Sequence, residues 1–390
     1  MPTQDTLLAG GSYLTIRKIR AIARKEFCHL LRDFRSLYLA FAIPLLLILL
    51  FGYALSLDVE HVRTIVVDQD GTDLSRHFLL KLEASPYFRV LAHLPAASEA
   101  TRYLDEGEAA LAVLIPPGWT DKIRSAQPSP LQVLLDGSDP NFASISRSYI
   151  TAFIEQFNGQ LQKDFFNRQG RPGIQPPVEG RIRVWFNEDL ESRNFIVPGI
   201  IAIIIMIVGA MLTSLVIARE YENGTMETIK SLPITAGEFL LGKSIPYFFI
   251  ALADVLVAML MGQILFGVVM KSSFWLMMFA SSLYIAVALT LGLLISTVTK
   301  SQLVANQTAV LVTYLPSLLL SNFIFPVANM PKALQFVTKI VPAAYYMEIL
   351  SGIYLKNLGM AYLWPSFLVL GTIALLLAAL NCVVLKREGM

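Results

Sequence analysis

The sequence predicts an α-helical polytopic membrane protein with six transmembrane helices and an inserted extracytoplasmic α/β domain. Of 390 residues, 55% are hydrophobic and only 15% charged, where soluble domains carry about 25% charged residues. Apolar runs near the length of about 20 residues that crosses a bilayer's hydrocarbon core lie at 37–57, 195–217, 245–269, 274–298, 303–324 and 362–385. Between the first two runs the composition changes, and charge and proline rise through residues 58–192.

The elements follow in order. Residues 1–35 interleave Arg17, Lys18, Arg20, Arg24 and Lys25 with Ile16, Ile19, Ile22, Phe27 and Leu30. That mixture predicts an amphipathic helix along the cytoplasmic membrane surface. Residues 36–57 form the first transmembrane helix. The charged region before it is too long for a cleaved signal, so it reads as a retained anchor. Within 58–192, Val62–Val67, Ala110–Ile115 and Leu131–Leu135 are aliphatic runs bounded by Asp, Gly or Pro, which predict strands. Residues 73–84 and 97–106 have helical spacing, and a long helix over 141–167 opens after Asp139-Pro140. A Pro/Gly linker at 169–177 and a last strand at 181–186 lead back to the membrane. Asp68-Gln-Asp-Gly reads as a turn, because the remaining ligand positions of a calcium loop do not follow it.

Residues 193–390 hold transmembrane helices two to six. Segment 326–361 is rich in Pro, Asn and Lys; with Pro331 and Pro342 breaking it, it predicts an extracytoplasmic re-entrant segment of short helices. Lys and Arg in the short segments set the orientation. Placing the N-terminus inside gathers the basic residues of 1–35, Arg219, Lys230, Lys243, Lys300, Lys386 and Arg387 on the cytoplasmic side. It leaves Lys271, Lys332, Lys339 and Lys356 outside. Both termini are therefore expected in the cytoplasm and the α/β domain outside.

The polar stretch between the second and third spans carries the functional signal. Glu220, Glu222 and Glu227 precede Lys230, and Pro233 follows, which is the charge order and stop signal of a short helix over 219–233. Such a helix at the membrane surface suits docking of a soluble partner; a merely connecting solvated turn is the plain alternative. The run Arg219-Glu220, Gly224-Thr225-Met226-Glu227, Leu232-Pro233 and Leu241-Gly242-Lys243 resembles the coupling segment of ABC exporter permeases of the ABC-2 type. Asn194–Gly199 and the series Phe325-Pro326, Asn329-Met330-Pro331, Pro342, Tyr345-Tyr346 and Leu355-Lys356 resemble that family as well. The three segments lie in order, and the resemblance covers essentially the whole chain.

The resemblance implies a multidrug-type permease subunit in the cell inner membrane. It would move hydrophobic or amphipathic substrates and pair with a second permease copy or paralogue. ATP would be hydrolysed by a separate cytoplasmic ABC ATPase subunit, with Glu220, Glu222, Gly224, Thr225, Glu227 and Pro233 coupling to it. A path at the dimer centre would be lined by the second and fifth spans, which offer Thr213, Ser214, Thr313, Asn322 and Phe323. A periplasmic adaptor is a further partner the resemblance allows. The chain itself is expected to carry no catalytic residues, metal or cofactor.

Other patterns are set aside on physical grounds. Net charge is +2, which supplies no basic field for nucleic acid. Cys28 and Cys382 make no disulfide framework in the extracytoplasmic part, and His29, His61, His77 and His93 have no metal-ligand spacing. Gly237–Ser244 matches the phosphate-loop pattern G-x-x-x-x-G-K-[ST]. No strand precedes it and Glu-Phe-Leu-Leu forms helix, so nucleotide binding there is not expected. Asp254 is a carboxylate inside the third span, a costly placement that calls for an interhelical hydrogen bond or a transport role. A proton-driven secondary transporter using Asp254 therefore stays open, although no inverted repeat accompanies it. A non-transporting membrane sensor with an extracytoplasmic ligand domain stays open too.

Overall fold

The computed structural model describes residues 4–54, 61–125, 127–168, 186 and 191–390. The linker read at 169–177 lies outside the described residues, as does the strand read at 181–186 apart from Phe186. By its contacts the chain divides into two compact units, one of Met1–Ser56 with Val184–Met390 and one of Leu57–Arg183.

The first unit opens with α1 (Gln4–Arg32) and α2 (Phe34–Ala54). Helix α1 turns Glu26 and Leu30 inward and leaves Ile16, Phe27 and Leu31 exposed.

The second unit is built on β1 (Val62–Asp68), α3 (Asp73–Glu83), β2 (Phe88–Leu94), α4 (Ala97–Asp105) and β3 (Leu111–Ile115). It ends with α5 (Trp119–Arg124), β4 (Gln132–Leu135) and α6 (Pro140–Arg168). The strands form one sheet in the order β2-β1-β3-β4. Strand β1 pairs in parallel with β2 and β3, and β4 runs antiparallel to β3. Central β1 is buried on both faces: Val62 and Val66 pack with Phe78 and Phe157, while Ile65 and Val67 pack with Ala100. That explains its unbroken Ile-Val-Val run. Helix α3 begins with a capping box, in which Thr72 and Ser75 satisfy each other's backbone N–H. The Asp68–Gly71 turn is closed internally, with Asp68 Oδ1 accepting from the N–H of Asp70 and of Gly71. Burial raises the Asp70 carboxyl, but the Thr120 and Thr72 hydroxyls outweigh it and hold the group below its ordinary value. Strand β2 and helix α5 are additions to the sequence reading. Strand β2 is an edge strand whose outward residues include Arg89 and His93, so its apolar signal is diluted, and α5 is only 6 residues long.

The first unit resumes with α7 (Arg193–Glu222), α8 (Thr225–Lys230), α9 (Ala236–Phe266), α10 (Phe274–Thr299) and α11 (Gln302–Leu319). A 3-10 turn at Val327–Asn329, then α12 (Lys332–Thr338), α13 (Pro342–Tyr354) and α14 (Met360–Arg387), complete it. Among the described residues 4 helices, α7, α9, α10 and α14, are long and apolar enough to cross a membrane. The apolar part of α2 is the shorter Phe41–Tyr53. Helix α11 opens with Gln302, Asn306 and Gln307 and stops at Leu319, so Asn322 and Phe323 lie beyond the helix expected to run to 324.

Helix α7 is the hub: nearly all its apolar stretch is buried, against α10, α11, α9, α2 and α13. Small residues bring α7 and α10 together, since a Cβ on Gly292 would sit 2.4 Å from the Ala210 carbonyl oxygen. Segment 326–361 contains short helices, and α13 among them buries Tyr346, Ile349, Leu350 and Ile353 completely.

Candidate functional site

The polar segment after α7 is not one helix. Helix α7 continues through Glu222, and Gly224 then takes φ +70°, a left-handed conformation that glycine adopts without strain. The short helix α8 spans Thr225–Lys230 only. This corrects the expected helix over 219–233: Glu220 and Glu222 belong to the last turn of α7, and Pro233 follows α8 in the turn before α9.

Helix α8 is pinned from beneath and open above. Met226 is buried, and Ile229, three residues on and so on the same face, packs against the same core. Glu227, Thr228, Leu232 and Pro233 are exposed. Glu227 pairs with Lys230 at 3.3 Å. Lys18 of α1 donates to the Pro233 carbonyl at 2.6 Å and lies 3.6 Å from Glu238. Glu238 in turn caps α9 through a capping box with Thr235.

Beneath this corner lies a buried cluster of charges. Lys243 of α9, 3% exposed, donates to Glu26 of α1 at 2.7 Å and to Glu220 of α7 at 2.6 Å. The Tyr247 hydroxyl donates to the other Glu26 oxygen at 3.0 Å. Glu220 also accepts from the Thr225 hydroxyl at the start of α8, and Lys25 lies 3.5 Å from it. Two carboxylates thus face two ammonium groups, and the cluster joins α1, α7, α8 and α9. Pairing is obligatory at such burial, because an ionised group without a partner there is strongly destabilising. Gly242 explains the close fit of α1 on α9: a Cβ there would lie 2.7 Å from the Ile22 Cβ. The G-K pair of the phosphate-loop pattern is therefore a helix contact followed by a buried ion pair, inside a continuous helix rather than a loop.

The other flank of α7 is braced as well. Both Glu222 carboxylate oxygens accept from Gln302, from its backbone N–H at 2.8 Å and its side chain at 2.6 Å, placing negative charge on the N-terminus of α11. Glu388, just past α14, accepts from Lys300 at 2.7 Å and from the Tyr221 hydroxyl at 3.0 Å. The Lys300 hydrogen bond holds the Glu388 carboxyl below its ordinary value, against the opposing effect of burial. Lys300 and Lys230 both sit over the Tyr221 ring, at 5.1 and 5.6 Å from its centroid.

The residues expected along a path are mostly committed to packing. Thr213 is fully buried and donates to the Gly209 carbonyl on its own helix and the Leu289 carbonyl on α10. Ser214 and Thr313 are buried and donate back along their own helices, to Met211 and Ala309. Asn322 is exposed at φ +66° and its Oδ1 accepts from the Val327 N–H. The Phe323 ring packs on Gly199 and Phe195. Asp254 is buried, and neither carboxylate oxygen meets a hydrogen-bond partner among the described residues.

The profile described as "ABC-2 family transporter protein" matches residues 34–383. The chain belongs to this family. It is 36% identical over 345 residues to "Probable multidrug ABC transporter permease YbhS" of Escherichia coli (strain K12), covering 88% of this chain and 90% of that protein. It is 28% identical over 349 residues to "Probable multidrug ABC transporter permease YbhR" of the same strain, covering 90% and 93%. A third relative, "Inner membrane transport permease YhhJ", is 27% identical over 308 residues, or 78% and 80% of the two chains. Family and relatives together make the chain a permease-type component of ABC transporters, a class that associates with an ABC ATPase.

Proposed function

We propose that this chain is the membrane-spanning subunit of an ATP-driven ABC exporter, and that a separate cytoplasmic ATPase docks on the exposed face of α8. The observation carrying this reading is the α8 corner. Its outer face is free for a partner, while its inner face is tied through Thr225, Glu220 and Lys243 to three long helices. A push on α8 therefore reaches α1, α7 and α9 without passing through a flexible linker.

The finer parts rest on sequence and on the relatives. We take α2 and α11 as spans beside α7, α9, α10 and α14, with both termini cytoplasmic in the inner membrane and the α/β unit outside. Two relatives are named multidrug permeases, and α11 exposes Leu303, Leu311 and Leu315; both support hydrophobic or amphipathic cargo, although the same face equally suits a second copy or lipid. A periplasmic adaptor would meet the α/β unit. The test is transport by the purified chain in proteoliposomes with and without the ATPase. Transport that needs no ATPase would refute the reading. The Asp254 carboxylate, which meets no hydrogen-bond partner among the described residues, favours a second reading, proton-driven transport, which the same experiment separates.

A further inference from the structure

Helix α9 leaves an apolar stripe exposed near its C-terminal end. Leu256, Met259, Leu260 and Gln263 fall at i, i+3, i+4 and i+7, so they share one face of the helix. With Met270 and Phe274 they line a groove of about 320 Å³, completed by Tyr354 of α13. That volume lies within the range of about 300–1,000 Å³ typical of small-molecule sites. The walls are open. Leu256, Leu260 and Phe274 are 41%, 58% and 43% exposed, and Gln263 is exposed as well.

The groove is layered along α9. Leu256 lies about 10 Å deeper than Gln263 along the axis, at 1.5 Å per residue, and Leu260 about 5 Å deeper. Gln263 stands in the last turn of the helix, which ends at Phe266. Past that end come the exposed Lys271, then Phe274 and Trp275, both exposed. Aromatic and basic residues at the end of a span sit at the level of the lipid headgroups. The turn that carries Lys271 is held, because the Ser272 hydroxyl donates to the Leu358 carbonyl at 3.1 Å. From the bilayer interior outward the order is therefore apolar side chains, amide, ammonium. A phospholipid presents acyl chain, ester carbonyl and phosphate in the same order. The Gln263 side chain makes no hydrogen bond among the described residues, and an amide left unpaired against hydrocarbon is costly. We propose that this groove binds a phospholipid of net negative charge. One acyl chain lies along Leu256 and Leu260, the Gln263 amide donates to an ester carbonyl, and Lys271 meets the phosphate. Lys271 supplies the preference for anionic lipid, since a zwitterionic headgroup brings its own cation. The proposal needs α9 to cross the bilayer; only the choice of the outer leaflet rests on the topology taken above.

The test is native mass spectrometry of the full chain in detergent, offered equal amounts of dioleoyl phosphatidylglycerol and dioleoyl phosphatidylcholine. The two lipids share their acyl chains and differ in headgroup charge. The expected result is preferential retention of one phosphatidylglycerol. Lys271→Met should cut that preference about fivefold, the effect of one cation near an anionic headgroup. Gln263→Leu should weaken both lipids about fivefold and leave the preference intact, the effect of one hydrogen bond. Leu260→Trp should fill the groove and abolish retention, whereas Leu376→Trp, on the exposed face of α14, should change nothing. All four positions are exposed, and an unchanged thermal midpoint in lipid-free detergent checks that the variants fold. Equal retention of the two lipids by the wild-type chain would overturn the proposal. So would equal losses with Leu260→Trp and Leu376→Trp. Binding of the neutral dye Nile red that Leu260→Trp abolishes and phosphatidylglycerol does not displace would assign the groove to cargo instead, and would overturn it too. None of these readings uses ATP or transport, so failure here leaves the exporter reading untouched.

Discussion

Lys243 of α9 and Glu26 of α1 lie 217 positions apart in sequence and 2.7 Å apart in space, with both side chains buried. The pair fixes α1 to the N-terminal part of α9. Through Glu220 and Thr225 it extends to α8. This cluster links α8, the proposed docking face, to the bundle.

Removing Lys243 should therefore be costly. Lys243→Met leaves Glu26 and Glu220 buried, with only the exposed Lys25 near Glu220, and breaking a buried pair this way costs about 3–5 kcal/mol. The thermal midpoint of the detergent-purified chain should fall sharply. Adding Glu26→Gln and Glu220→Gln should restore part of it, because neighbouring charges couple non-additively. A wild-type midpoint for Lys243→Met would show that the cluster contributes nothing.

Two glycines of the same octapeptide should behave in opposite ways. At Gly242 a Cβ would press on Ile22 at 2.7 Å and on the Ile19 carbonyl oxygen at 3.2 Å, whereas at Gly237 nothing lies within 4 Å. Gly242→Leu should lose about 1–3 kcal/mol by overpacking. Gly237→Ala should be neutral or gain up to about 1 kcal/mol from lower backbone entropy in the unfolded chain. Equal effects in a chemical denaturation series would contradict the α1–α9 contact.

If the ATPase docks on α8 as proposed, recovery of the partner depends on the shape and charge of that helix. Gly224→Pro replaces φ +70° with a ring locked near −65° and should displace α8 without unfolding the bundle. Glu227→Lys reverses an exposed charge on the docking face, where like-charge contact costs several kcal/mol. Both variants should insert normally yet lose co-purification of the ATPase. A cysteine at Asn223 should be labelled only after permeabilisation, and one at Ser138 in intact cells. Wild-type recovery of the ATPase with both variants would remove α8 from the coupling route.

How much of this was legible varies by element. The apolar runs mark the long helices because hydrophobic length is a local property, and β1 shows itself as an Ile-Val-Val run for the same reason. Gly224 was visible as a residue, but that it needs a left-handed backbone and splits α7 from α8 is a property of the folded corner. Edge strand β2 escaped because Arg89 and His93 interrupt its pattern. The charge cluster had one readable clue: Glu26 falls on the Ile19, Ile22, Leu30 stripe of an otherwise basic helix, where an acid must meet a buried cation. Which cation could not be read, since Lys243 is remote in sequence and was disguised as a phosphate-loop lysine. Thr213 drew attention as a polar residue in an apolar helix. Its hydroxyl is consumed by backbone carbonyls, the usual fate of threonine in packed membrane helices.

The central claim, that ATP hydrolysed by a partner drives this permease, is tested most directly by transport in proteoliposomes holding the chain and its ATPase, with the pH gradient set independently of ATP. The account predicts transport that requires ATP, ignores the gradient, and persists in Asp254→Asn, which keeps the side-chain shape but removes the titratable group. Transport that follows the gradient at constant ATP, and is lost in Asp254→Asn as fully as in Asp254→Leu, would contradict it.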